Sequence, residues 1–182
     1  MNFIETEIAG VFIVEPKVFT DARGHFFETW NRAAFAAVGL LYNFVQDNQS
    51  QSVYGTIRGL HFQKGEHAQA KLVRVLAGTV LDVAVDLRKG SPTFGRHVAV
   101  ELSAENRRQL LIPRGFAHGF SVLSETAVFA YKCDNFYCRE SEGGLRFDDP
   151  ALGIDWRVPE GKALLSEKDR LNPSLKDFTP CF

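Results

Sequence analysis

Residues 79–87 read Thr-Val-Leu-Asp-Val-Ala-Val-Asp-Leu. Leu81, Val83, Val85 and Leu87 share one face, while Val80, Asp82, Ala84 and Asp86 share the other, which is the two-residue period of a β-strand. Downstream, residues 96–102 repeat the pattern with Val98, Val100 and Leu102 aligned. Residues 103–106 then read as a turn, 107–112 and 120–123 as strands, and 124–126 as a turn into a strand over 127–132. Upstream, Arg58-Gly59-Leu60-His61-Phe62-Gln63 reads as the end of a strand whose alternate residues face inward. Many short strands punctuated by Gly and Pro predict an all-β antiparallel sandwich or barrel. Such a barrel has an open mouth where polar residues of alternating strands converge.

Helical signals are confined to two places. Asn31 can cap residues 32–38 with Gly39 as the stop, and residues 161–171 hold a turn or two before Pro173 ends them. With no repeat, low-complexity tract or linker, residues 1–182 read as one domain, long enough to bury a substantial core. A net charge of −1 gives no electrostatic case for nucleic acid or an anionic membrane surface, so any basic site is local. No apolar run approaches the roughly 20 residues needed to span a bilayer. The start, Met-Asn-Phe-Ile-Glu-Thr-Glu, lacks the layout of a signal peptide. Cys133, Cys138 and Cys181 fit no metal-ligand spacing and read as thiols of a reducing cytoplasm. Phenylalanine supplies 16 of the aromatic side chains, which suits a packed barrel interior and a site that stacks a planar ring.

The chemistry concentrates between residues 58 and 78. His61 is a base candidate, Arg58 a permanently charged fork suited to phosphate or carboxylate, and Lys71 an ammonium set in an apolar run, Ala70-Lys71-Leu72-Val73. Read singly, His61 is structural, while a surface ion pair for Arg58 and a side chain snorkelling from a strand edge for Lys71 are the plainer alternatives. Read together, they are what proton abstraction beside a carbonyl requires: a base for the proton and a cation for the enolate oxygen. Pro113-Arg-Gly-Phe-Ala-His118-Gly supplies a second histidine. Asp82 and Asp86 share a strand face and compete as the carboxylate that would orient an imidazole, with a solvated face the plainer reading for Asp86. Tyr131 and Tyr137 are packing residues or proton donors. Residues 21–28 form a turn in which Arg23 can contact phosphate, Phe26 can stack a base and Glu28 can accept hydrogen bonds. The polar run 46–52 is a loop, or a set of amides and hydroxyls that reads a sugar or pyrimidine edge.

Gly55, five residues, then His61 opens like the first motif of a metal-binding cupin, yet Gln63 and Lys71 fill the slots of its next ligands, with Gly78 closing the motif. An ammonium repels a divalent cation, so the sequence predicts no catalytic metal. The blocks Asp21-x-Arg23-Gly24-x-Phe26-x-Glu28, Gln46-Asp47-Asn48-x-Ser50, Arg58-Gly59-Leu60-His61, Lys71-Leu72-Val73, Asp82-Val83-x-Val85-Asp86-x-Arg88, Ala117-His118-Gly119-Phe120, Tyr131-Lys132 and Ser166-x-Lys168-Asp169 occur in register. Over almost its whole length, the chain resembles the dTDP-4-dehydrorhamnose 3,5-epimerase family.

That resemblance implies a cupin-type double-stranded jelly-roll barrel with a few short helices and a C-terminal helical tail, free of metal and cofactor. It also implies a cytoplasmic homodimer whose N-terminal segment crosses to the partner, with no nucleic-acid or membrane partner. The implied substrate is a dTDP-sugar, epimerised at C3 and C5. By resemblance, His61 is the base, Asp169 its carboxylate, Tyr131 the acid, and Lys71 the support of the enolate oxygen. His118, paired with Asp82, lines the pocket. Arg23, Phe26, Glu28, Gln46, Asn48, Ser50, Arg58, Tyr137, Glu142 and Lys168 match positions that hold the nucleotide and sugar, with Phe26 reaching the neighbour's site. The rival readings are an epimerase acting on one carbon only, C5 or C3, a 3,4-ketoisomerase of the same barrel type, and a sugar-nucleotide-binding cupin without catalysis. The joint presence of base, acid and lysine speaks against the last.

Overall fold

The computed structural model describes residues 1–182. In chain order the strands are β1 (Asn2–Glu5), β2 (Phe12–Glu15), β3 (Val18–Asp21) and β4 (Gly24–Phe27). After helix α1 (Arg32–Ala36) come β5 (Gln46–Val53), β6 (Ile57–Gln63), β7 (Lys71–Ala77), β8 (Thr79–Asp86) and β9 (His97–Ser103). They are followed by β10 (Gln109–Ile112), β11 (Phe116–Val122), β12 (Thr126–Cys133), β13 (Glu142–Gly144) and helix α2 (Glu167–Arg170). The strands form a six-stranded sheet ordered β1-β2-β10-β7-β12-β5, a five-stranded sheet ordered β13-β6-β11-β8-β9, and the separate hairpin β3-β4. The two large sheets pack face to face as a jelly-roll barrel of the cupin type. Their inner faces supply one continuous core, with Val73, Val75, Phe129 and Leu110 from one sheet meeting Val80, Ala84, Val100 and Phe120 from the other.

Strand β8 is buried on both faces, which explains why residues 79–87 carry so few polar groups. Val80 and Ala84 enter the barrel, while Leu81, Val83, Val85 and Leu87 face outward under Leu145, Leu152 and Trp156. The outer face of the six-stranded sheet is covered in part by α1, whose Phe35 packs with Val14, Leu72 and Leu111. Asn31 does cap that helix, its side-chain oxygen accepting from the Ala33 and Ala34 N–H groups.

Several sequence expectations change. Residues 46–52 are not a loop but part of an eight-residue strand at the sheet edge. Its polarity follows from having one face on the cavity and the other on solvent, so no position needs a large apolar side chain. Within 161–171, where a turn or two is expected, the four residues of α2 form a single turn. Asp86 is fully buried rather than solvated. Its carboxylate accepts hydrogen bonds from the Arg88 guanidinium, the Arg88 N–H, and the Ser91 and Thr93 hydroxyls.

Candidate active site

Two glycines bring the histidine strands together. At Gly59, with φ of +130°, a Cβ would stand 2.6 Å from Gly119 Cα and 2.8 Å from the His118 carbonyl oxygen. At Gly119 it would stand 2.7 Å from the Arg58 carbonyl oxygen. Only hydrogen fits at either position, so β6 and β11 approach each other through their glycines and the register shifts there. One result is that His61 and His118 lie directly opposite each other on the cavity face.

Each histidine has its own carboxylate. His61 Nε2 is 2.5 Å from Asp169 Oδ1, and Asp169 Oδ2 accepts from the Gly59 N–H at 3.4 Å. Burial pushes the Asp169 carboxyl up, but the hydrogen bonds and charge of His61, with the Gly59 N–H, outweigh it and hold the group below its usual value. His118 Nε2 lies 2.9 Å from Asp82 Oδ2 at the barrel floor. Burial drives the His118 imidazole towards its neutral form, Asp82 opposes this, and Lys71 and His61 add to it. Neither Asp82 nor Asp86 is the carboxylate on His61.

Lys71 opens β7, and its Nζ sits 5.8 Å from the centre of the Tyr131 ring. Burial lowers the pKa of its ammonium, against the pull of Cys133 and Asp82. Tyr131, on β12, is pushed the other way by burial, which keeps its phenol protonated. Phe129 stacks between Phe120, 4.2 Å away, and His118, 6.1 Å away, and forms the apolar floor.

These groups line a cavity of about 480 Å³, completed by Ser50, Arg58, Lys168 and Ser166. A smaller space of about 120 Å³ adjoins it across His61, Lys71 and Tyr131, walled by Gln46, Tyr137 and Glu142. Arg58 Nε donates to Ser52 Oγ at 3.0 Å. Lys168 and Glu142 pair with each other across the mouth. Asn48 stands opposite Tyr131 in the ladder and donates to the Cys133 sulfur.

Four of the expected residues do not line either space: Asn48, which lies beside Gln46 and accepts from its side-chain amide at 3.0 Å, and three from residues 23–28. Arg23 and Phe26 sit on the β3-β4 hairpin around a separate depression, with Phe26 71% exposed and Arg23 paired to Asp21. Glu28, just beyond, accepts from Asn31.

Sequence reasoning used Gln63 only to argue against a metal and read Cys133 only as a free thiol, giving neither a part in the site. Gln63 is buried and its Oε1 accepts from the Cys138 N–H at 2.8 Å, while Gln46 Oε1 accepts from the Tyr137 N–H at 3.1 Å, so two amides hold the Tyr137 loop. Gln63 carried a signal, since its side chain falls on the same strand face as His61. Cys133, whose thiol burial pushes up to about 11, carried none. No group of three or more His, Cys, Asp or Glu side chains is arranged to hold a metal ion.

Known proteins resemble this chain in sequence and in overall structure. Residues 5–177 match the family described as dTDP-4-dehydrorhamnose 3,5-epimerase. A protein of that name from Shigella flexneri is 56% identical over 170 residues, covering 93% of each chain. The crystal structure of the Elizabethkingia anophelis enzyme superposes with a TM-score of 0.94 at 57% identity, covering 97% of both chains. A Legionella pneumophila 3,5-epimerase determined in complex with dTDP-4-keto-L-rhamnose gives a TM-score of 0.94 at 50% identity, covering 98% of this chain and 94% of that one. Matched over nearly its whole length, the chain belongs to the dTDP-4-dehydrorhamnose 3,5-epimerase family.

Proposed function

We propose that this protein is an isomerase that converts dTDP-4-keto-6-deoxy-D-glucose to dTDP-4-keto-L-rhamnose, inverting C3 and C5 on the way to dTDP-L-rhamnose. The observation that carries the reading is the convergence of the His61–Asp169 pair, Lys71 and Tyr131 on one cavity. Both C3 and C5 flank the C4 ketone, so one enolising machine serves both carbons.

The residues act in sequence. Asp169 holds His61 Nε2, which leaves Nδ1 as the nitrogen available to take the α-proton. The electron pair left on carbon delocalises to the C4 oxygen, where Lys71 supplies positive charge in a dry setting. Tyr131 then gives its phenolic proton to the opposite face of the carbon, and solvent restores both groups. Phe129 and Phe120 shape the floor, while Gln46, Ser50, Arg58, His118, Tyr137, Glu142 and Lys168 hold sugar and nucleotide, with Asn48 acting from beside Gln46. Arg23, Phe26 and Glu28 serve the neighbouring site of a cytoplasmic homodimer, which accounts for their distance from the cavity of their own chain. The N-terminal segment and the C-terminal tail belong to one domain with the barrel.

Mass spectrometry of the keto-sugar nucleotide after incubation in deuterated water tests the reading. Two incorporated deuterons, at C3 and C5, are expected. One deuteron identifies a single-carbon epimerase, and none above background overturns the assignment.

A further inference from the structure

Residues 164–173 run across the cavity as a strap tied at its two ends. The Ile57 N–H donates to the Leu164 carbonyl at 2.9 Å and the Leu164 N–H to the Gly55 carbonyl at 2.9 Å, fixing one end to β6. The Arg146 N–H donates to the Pro173 carbonyl at 2.9 Å and fixes the other. Between them stands α2, only four residues long, whose backbone bond from Arg170 N–H to Ser166 carbonyl is stretched to 3.4 Å. A helix that short has no stability of its own. Yet it carries Asp169, which is 3% exposed and must meet His61 along one hydrogen-bond direction.

We propose that Ser166 is the positioning residue that aims Asp169 at His61. Its side-chain oxygen caps α2 by accepting the Asp169 N–H at 3.1 Å, so the backbone of the carboxylate-bearing residue is held by the cap itself. Without that oxygen, the Asp169 N–H is buried and unpaired, the turn is free to rotate, and the carboxylate leaves the line of the imidazole. Asp169 then no longer stabilises the protonated imidazole that forms during turnover. The other charged and titratable groups around the cavity are Arg58, Lys71, His118, Tyr131 and Lys168, and Ser166 bonds none of them.

The proposal rests on the epimerase reading, and the test separates the two. Ser166→Ala, Ser166→Thr and Ser166→Asn are compared with the unmodified protein for turnover and pH profile, with circular dichroism confirming the fold. Thr and Asn both supply a capping oxygen, but only Thr keeps a hydroxyl. We expect Ser166→Ala to lower kcat about tenfold, with KM changed less, and to move the acidic limb of its pH profile to lower pH. Thr and Asn should both restore kcat and the limb. An Ala variant with unaltered kcat and profile overturns the proposal, as does recovery by Thr alone, which would place the effect in the hydroxyl's own hydrogen bonding rather than in the cap. Absence of solvent exchange in the unmodified protein would instead overturn the epimerase reading.

Discussion

His61 and His118 face each other directly across an antiparallel ladder, yet they answer to carboxylates from opposite directions. Asp169 reaches His61 from the strap outside the barrel, whereas Asp82 reaches His118 from β8 at the floor. His61 keeps 38% of its side chain exposed and His118 only 8%. In the proposed mechanism, the accessible imidazole is the one that exchanges protons with substrate and then solvent. The deep one, driven neutral by burial, is placed to hydrogen-bond without adding charge beside Lys71.

From this division, His61→Ala and Lys71→Ala should each lower kcat at least about a hundredfold, the scale of losing a general base or a charge-stabilising donor. Steady-state kinetics at saturating substrate checks this. Retention of most of the kcat by either variant removes that residue from the chemistry.

Tyr131→Phe should uncouple exchange from inversion. The base remains, so the α-protons still wash out in deuterated water, but reprotonation from the same face returns the starting sugar. Inverted product should fall at least about tenfold below exchange, measured by following product by NMR and deuterium by mass. Equal loss of both would show that Tyr131 is needed to form the enolate as well.

Gly59→Ala and Gly119→Ala each put a methyl group within 2.8 Å of opposing backbone. The strands must separate, which moves His61 away from both Asp169 and Lys71. A loss of roughly 2–4 kcal/mol in urea denaturation is expected, in the range of overpacking and backbone strain. Activity should fall even in whatever fraction stays folded.

Asp86 makes an acid-stability prediction with a definite sign. Burial raises its carboxyl, but the bonds from Arg88, Ser91 and Thr93 outweigh this and hold it well below the usual carboxylate range. The folded pKa thus lies under the unfolded value of about 3.9. Stability from this group is fully present above that value and drains away as pH falls through the folded one. Asp86→Asn should cost roughly 3 kcal/mol near neutrality and show a flatter stability profile between about pH 4 and 2. Urea titrations over that interval test both parts.

Mixing variants tests the shared site. A dimer of Arg23→Ala/Phe26→Ala chains with His61→Ala chains should contain one site with both defects and one with neither. Activity at low substrate in a co-expressed mixture should then exceed the sum of the two parents. Strict additivity would place Arg23 and Phe26 outside any neighbouring site.

How much of this could be read beforehand depended on what each stretch was built to bury. Residues 79–87 and 127–132 show their strand period because every alternate side chain enters a dry core. β5 hides its period because neither face needs apolar groups, and β1 and β2 are too short to repeat. His61, Lys71 and Tyr131 stand out by chemical type, and family motifs flag Asp169. The carboxylate pairing was undecidable from spacing, because Asp82 and Asp86 lie much nearer in the chain than Asp169. Gln63 was signalled by sharing a strand face with His61, whereas Cys133 acquires meaning only from the ammonium that the fold sets beside it.

The bond between His61 and Asp169 joins residues 108 positions apart. A contact of that span closes only after the intervening strands have paired, because its entropic cost must first be met by the barrel. In the proposed mechanism the base therefore depends on the closed barrel, because a chain whose strands have not paired carries His61 and Asp169 without bringing them together.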